Sequence, residues 1–213
     1  AVGAFPDEIY FTSGGTEADN LAIKGLYWSA VAADPQRRTI VASSIEHHAV
    51  LDAVNWLVAH EGACVEWIPA TVAGEIDVDW LEDYLANHSA DVALCAVMWA
   101  NNETGVIQPV EAVARLCDDA GIAFHSDGVQ AAAWLAPETP WRAGRSSLAI
   151  SAHKFGGPVG VGALVASGVT PTPLLHGGGQ EIDVRSGTVA TALAASMAAA
   201  FEETAARREG EFE

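Results

Sequence analysis

Lys154 stands in the run Ser151-Ala152-His153-Lys154-Phe155-Gly156-Gly157-Pro158, directly after an apolar segment and ahead of paired glycines. A lysine amine attacks an aldehyde to form an imine only when partly deprotonated, a state that a desolvated pocket with cationic neighbours favours. The one other lysine, Lys24, falls in a helical pattern and suits a solvated surface. Asp127 follows an apolar stretch that also contains His125. A carboxylate there can accept a hydrogen bond from a protonated ring nitrogen and so hold positive charge on a heteroaromatic ring, or it can cap a helix. Gln130, three residues on, shares its side if a helical turn follows. Ser13-Gly14-Gly15-Thr16 joins a strand pattern to a helix pattern, so its backbone N–H groups and the Thr16 hydroxyl can cradle a phosphate. It matches neither the P-loop nor the dinucleotide fingerprint, and a simple capped turn uses the same residues. Asn101-Asn102-Glu103-Thr104-Gly105 is either a polar site segment or a turn, and of His47 and His48 one imidazole can stack on a planar group while the other faces solvent. The histidines offer no i, i+4 pair on a helix and there is no Cys-x-x-Cys, which argues against a metal site.

Strand-like and helix-like stretches alternate along the chain, the pattern of a parallel sheet covered on both faces. Residues 8–12 read as a strand that runs into the glycine turn. Thr16 can cap a helix to about Ala33, residues 39–42 form a strand, and Ser44 can cap a helix that turns Val50, Val54, Leu57 and Val58 inward. A short helix is expected over 77–87. The unbroken apolar run 92–98 predicts a strand buried on both faces, 121–125 a second and 159–166 a third. Between the first two of these, Pro109 opens a helix with Val110, Val113, Leu116 and Cys117 on one stripe, ending at Gly121. The alanine-rich 190–208 is helix-prone. In such a sheet ligands gather beyond the carboxyl ends of the strands, where Gly15, Asn102, Asp127 and Lys154 would then meet.

The chain has 213 residues, half of them apolar, which suits one large domain. Its formal net charge of −18, from 28 acids against 10 bases, speaks against direct nucleic-acid or anionic-membrane binding. Cys64, Cys95 and Cys117 lie in apolar segments without paired spacing and read as core residues. No apolar stretch is long enough to span a bilayer and nothing at the start resembles a signal peptide, so a cytoplasmic protein is expected.

Seven segments together resemble the cysteine desulfurases among the class V, fold-type I pyridoxal phosphate enzymes. They are residues 11–25 around Ser13-Gly14-Gly15-Thr16, then Glu46-His47-His48-Ala49-Val50-Leu51, Asn101-Asn102-Glu103-Thr104-Gly105, His125-Ser126-Asp127-Gly128-Val129-Gln130, Ser151-Ala152-His153-Lys154, His176-Gly177-Gly178-Gly179-Gln180-Glu181 and Arg185-Ser186-Gly187-Thr188. The resemblance implies a fold-type I transferase large domain over 1–213, mostly a parallel sheet flanked by helices. It implies pyridoxal 5'-phosphate held by Lys154, which also moves protons on the substrate, and His47 stacked on the ring. Asp127 would pair with the ring nitrogen, and Gln130 and Asn102 would bond the ring oxygen side. Gly15, Thr16, Ser151 and His153 would hold the phosphate. Thr188 would reach the phosphate of a neighbouring subunit in a homodimer. The implied reaction converts L-cysteine to L-alanine and passes sulfur to an enzyme cysteine as a persulfide, for iron-sulfur cluster assembly through a sulfur acceptor or scaffold protein.

The pattern departs from the family in places. No cysteine follows Lys154, and the C-terminal arginine that would hold the substrate carboxylate is absent. The family's N-terminal segment and small domain are likewise missing, so a truncated and by itself inactive form is expected. Gly15 stands where alanine is usual, His48 where lysine is frequent, and Ile182-Asp183-Val184 where an arginine-containing link is common. The alternatives are a related class V aminotransferase or selenocysteine or C–S lyase, a silent scaffold that keeps the fold, and an acidic interaction protein without a cofactor.

Overall fold

The computed structural model describes residues 2–136 and 141–211. Seven strands, β1 (Ile9–Thr12), β2 (Thr39–Ser43), β3 (Cys64–Ile68), β4 (Val92–Ala96), β5 (Ala123–Asp127), β6 (Ser146–Ser151) and β7 (Gly162–Ser167), form one sheet in the order β1-β7-β6-β5-β4-β2-β3. The pairs from β3 through β6 are parallel, and β7 is antiparallel to both β6 and β1. Two reversals cancel, so β1 runs in the same direction as β6. The carboxyl ends of β1, β2, β4, β5 and β6 therefore share one edge of the sheet.

Six α-helices accompany the strands: α1 (Gly15–Ala33), α2 (His48–Glu61), α3 (Val78–His88), α4 (Val110–Asp119), α5 (Ala131–Trp134) and α6 (Thr191–Glu211). One face of the sheet presents the large side chains Phe124, Leu148, Ile150 and Val165, which pack with Leu81 and Leu85 of α3, Val113 of α4 and Met197 and Phe201 of α6. The other face, beneath α1 and α2, combines Ile40, Leu94 and Leu164 with the small residues Ala42, Ala96, Ala123 and Ala149. Side chains of successive strand residues alternate between faces, so a strand such as Phe124 beside Ala123 serves both layers at once. Small residues let α1 lie close on the sheet, which brings its first turn against the ends of β5 and β6. Each fully buried Leu, Ile or Phe of these layers stabilises the fold by about 1.5–3 kcal/mol relative to exposure.

The alternation and the long elements match the expectations, with local corrections. The strand containing His125 is shifted two residues on, to Ala123–Asp127. α1 is not capped by Thr16, which lies inside its first turn behind Gly14. α2 starts three residues later than Ser44 would place it, because the His47 Nδ1 accepts the Ala49 N–H at 3.1 Å and supplies the cap. Val58 is exposed: the helical period carries it off the stripe of Val50, Val54 and Leu57. Cys64 is exposed too, since β3 is an edge strand paired only with β2, while Cys95 and Cys117 are buried. Leu116 is only partly buried beside Val110, Val113 and Cys117. Among the described residues no helix is long and apolar enough to cross a membrane, and no group of His, Cys, Asp and Glu is arranged to hold a metal ion.

Candidate active site

The shared edge of carboxyl ends surrounds a cavity of about 210 Å³. β1 leads into Gly15 and Thr16, β2 into His47, β4 into Met98, Ala100 and Asn102, β5 into Asp127, Val129 and Gln130, and β6 into Ser151, His153 and Lys154, all of which line it. Of the residues singled out from the sequence, only Thr188 lies elsewhere: it is exposed and lines a smaller depression with Ser13 and Arg185.

Each wall has a local cause. Gly15 sits at the first turn of α1 with Val129 directly above it; a Cβ built there would come within 2.5 Å of Val129 Cγ2 and 3.5 Å of Ser151 Cβ. The first N–H groups of α1 have no intrahelical acceptors and carry the positive end of the helix dipole. Glu17, also in this first turn, accepts the Ser13 N–H at 2.8 Å and the Arg185 Nε–H at 2.7 Å, so its charge is held away from the cavity. The Ser151 Oγ lies 3.0 Å from His153 Nδ1, tying the two side chains of the β6 wall. Lys154 is carried on a single 3-10 turn, Ala152–Phe155, which ends at Gly156 in the left-handed region with φ +82°. That turn is anchored from below by Phe155, edge-on to Phe201 of α6 at 5.1 Å, and by the Thr204 hydroxyl donating to the Phe155 carbonyl at 2.9 Å.

In the polar run after β4 the roles divide. Asn101 holds the turn, its Oδ1 accepting the Glu103 and Thr104 N–H groups at 2.9 Å each and its Nδ2 donating to the Ile45 carbonyl at 3.0 Å, while Asn102 faces the cavity. Asp127 likewise does two things. Its Oδ1 accepts the Val129 N–H at 2.8 Å, making the turn that aims Gln130, and its carboxyl forms part of the cavity floor. Burial pushes that carboxyl up to about 7, helped by the Asp19 charge, and the Val129 N–H and the nearby imidazoles only partly offset the rise. Ionisation here would be restored by a cation set against it.

Sequence reasoning missed Asp19, which also lines the cavity at 1% side-chain exposure. The signal was available: Gly15, Ala18, Asp19 and Ala22 fall on one helical stripe, so a carboxyl is placed among residues that face the sheet. Glu46 was missed as well. It is buried beside the cavity, its Oε1 taking the Ser43 hydroxyl at 2.5 Å and the Met98 N–H at 2.6 Å, and burial pushes it up to about 8.

Residues 2–206 match the aminotransferase class-V family model. The chain belongs to the aminotransferase class-V family. This class-V chain is 51% identical over 200 residues to an IscS-like cysteine desulfurase of Mycobacterium tuberculosis, covering 93% of the chain and 50% of that protein. It is 49% identical over 189 residues to a cysteine desulfurase of Cereibacter sphaeroides, covering 88% and 47%. Among solved structures, a NifS-like protein superposes with a TM-score of 0.87 at 34% identity over 98% of the chain and 56% of that structure. DndA from Streptomyces lividans gives 0.86 at 35% identity, over 98% and 58%. The chain thus spans about half the length of the curated relatives it matches. Its homologues are cysteine desulfurases, and its fold is theirs.

Proposed function

We propose that this class-V chain is the pyridoxal phosphate-binding large domain of a cysteine desulfurase, and that the whole protein converts L-cysteine to L-alanine. The observation that carries the reading is the donor set of one cavity. An amine, two imidazoles and a helix start line the rim, and a buried carboxyl whose charge needs a cationic partner lies at the floor. The residues fit a phosphorylated, aldehyde-bearing pyridine. Gly15 leaves the start of α1 bare because a side chain would collide with Val129, so a phosphate can approach its N–H groups. When bound, pyridoxal phosphate supplies an electron sink for charge that develops on the substrate carbon.

The chain's own groups do the rest. Lys154 would hold the cofactor through its amine and afterwards carry a proton to and from the substrate carbon. His47, its ring fixed because Nδ1 accepts the Ala49 N–H, would present its face and its other nitrogen to the cavity. Asp127 would accept the ring N–H, and Gln130 and Asn102 would donate to the ring oxygen side. Gly15, Thr16, Ser151 and His153 would bind the phosphate. Breaking the substrate C–S bond sends sulfur to a thiol as a persulfide. None of the three cysteines lines the cavity, so the accepting thiol is a residue other than these. Thr188, exposed at the smaller depression it shares with Ser13 and Arg185, would meet a second copy, which suits a homodimer with shared sites. A sulfur-acceptor or iron-sulfur scaffold protein would take the sulfur on, in the cytoplasm.

Borohydride reduction of the protein equilibrated with pyridoxal phosphate, followed by peptide mass analysis, tests the assignment. The modified peptide is expected to carry Lys154, and the visible absorbance of the bound cofactor should vanish in Lys154→Ala. Modification at Lys24, or no uptake, would overturn it. Lys24 lies over the Trp56 ring of α2 at 4.5 Å and does not line the cavity, which keeps the two lysines distinguishable.

A further inference from the structure

The cavity floor holds more acid than one ring nitrogen needs. Asp19 and Asp127 both line it, and Glu46 sits close behind, all three nine-tenths or more buried. Like charges so placed cannot all ionise together. The hydrogen-bond chain behind Asp19 decides which one yields. Phe124 offers a backbone carbonyl, which can only accept, and the Ser147 hydroxyl lies against it at 3.4 Å. With its proton directed there, the Ser147 oxygen accepts from His125 Nδ1 at 2.9 Å. His125 Nε2 is then left with a lone pair, and it faces Asp19 Oδ1 at 3.2 Å. The carboxyl must supply the proton.

The rival arrangement, with Nε2–H donating to an ionised Asp19, leaves a carboxylate at 1% exposure with one hydrogen bond among the described residues. It also sets a second negative charge beside Asp127. Desolvation makes that arrangement costly. The titration tendencies run the same way: burial pushes Asp19 up to about 8 and His125 down to about 4. The other titratable groups that bear on Asp19 are Asp127 from β5, Glu46 from the β2–α2 connection, and His47 and Lys154 at the rim.

We propose that Asp19, His125 and Ser147 form a neutral, directionally fixed relay that keeps a proton on Asp19 and leaves Asp127 as the one carboxylate available to the cofactor ring. Asp19 and His125 are in this sense positioning residues. The proposal rests on the pyridoxal phosphate reading for its purpose, but not for its measurable content.

Ring-nitrogen NMR of the uniformly ¹⁵N-labelled protein without cofactor reads the relay directly. His125 is the buried one of the seven histidines, and its ring signals are identified by their absence from the spectrum of His125→Asn. Between pH 5.5 and 7 it is expected to show a protonated Nδ1 and a bare Nε2 throughout. A doubly protonated ring, or the opposite tautomer, overturns the proposal. In the loaded protein, Asp19→Asn still donates to Nε2 and should bind pyridoxal phosphate within about twofold of the parent, with the midpoint of its pH dependence in place. Asp19→Ala should bind at least fivefold more weakly. A tenfold loss or a shifted midpoint in the Asn variant, or no loss in the Ala variant, also overturns it. If the protein takes up no pyridoxal phosphate, the functional reading fails while the nitrogen spectrum still decides the relay.

Discussion

Replacing Asp127 by Asn should make the cofactor-free protein more stable and its site worse. The carboxyl stands at about 7 instead of the ordinary 3.8, chiefly through burial. The sign follows from linkage: an acid whose folded-state pKa is raised takes up protons on folding, so stability is lost as pH climbs from about 4 to about 7. At roughly 1.4 kcal/mol per tenfold, the full rise corresponds to about 4 kcal/mol at pH 7.5. With Asp19 held protonated its contribution to that rise is absent, so the expected gain is below the full figure, about 2–3 kcal/mol. Asn keeps an oxygen for the Val129 N–H, so the turn at 2.8 Å survives while the ionisable group goes. Urea unfolding without cofactor should therefore show Asp127→Asn more stable by about 2–3 kcal/mol at pH 7.5, with the gain shrinking to about 1 kcal/mol or less at pH 4.5. Equilibrium dialysis at pH 7.5 should show at least a tenfold loss of pyridoxal phosphate affinity. A variant that is destabilised equally at both pH values would refute the argument, because it would mean that the buried carboxyl costs the fold nothing.

Other substitutions probe the supports of the site. Gly15→Ala drives a methyl to 2.5 Å from Val129 Cγ2, so thermal unfolding should report a loss of about 1–3 kcal/mol and dialysis a weakened cofactor. Phe201→Ala empties the edge-on contact under the turn that carries Lys154; a loss of about 3–5 kcal/mol by urea unfolding is expected. Gln108→Ala strips the buried Ile76 N–H and the Gly74 carbonyl of their partners at 2.9 Å each, costing about 2–3 kcal/mol in the same assay.

The sheet was readable because its signals are local. The apolar run of β4 and the Pro109-to-Gly121 helix each declare themselves within one stretch, and five chain segments with polar ends leave little choice of where a ligand binds. What escaped was relational. Asp19 reads as one acid in a helix until its neighbour His125, from a distant strand, is placed 3.2 Å away. His47 outcompetes Ser44 as the cap only because its ring reaches back to Ala49. Cys64 reads as core until its strand proves to lie at an edge of the sheet. The antiparallel β7 matters most in this respect, for no residue pattern states that β1 must be turned to lie along β6.

That doubled reversal ties the cavity to the whole molecule's folding. Its walls come from the ends of five strands whose contributions run from Gly15 to Lys154, so no short stretch of the chain supplies the whole site. Pairings of such large sequence separation form late and slowly. A ligand seated there would bind only the finished sheet and would stabilise it by mass action. Cofactor uptake would thus serve as a reporter of complete folding, and pyridoxal phosphate supplied during refolding should raise the yield of native protein more than the same ligand added to any isolated segment.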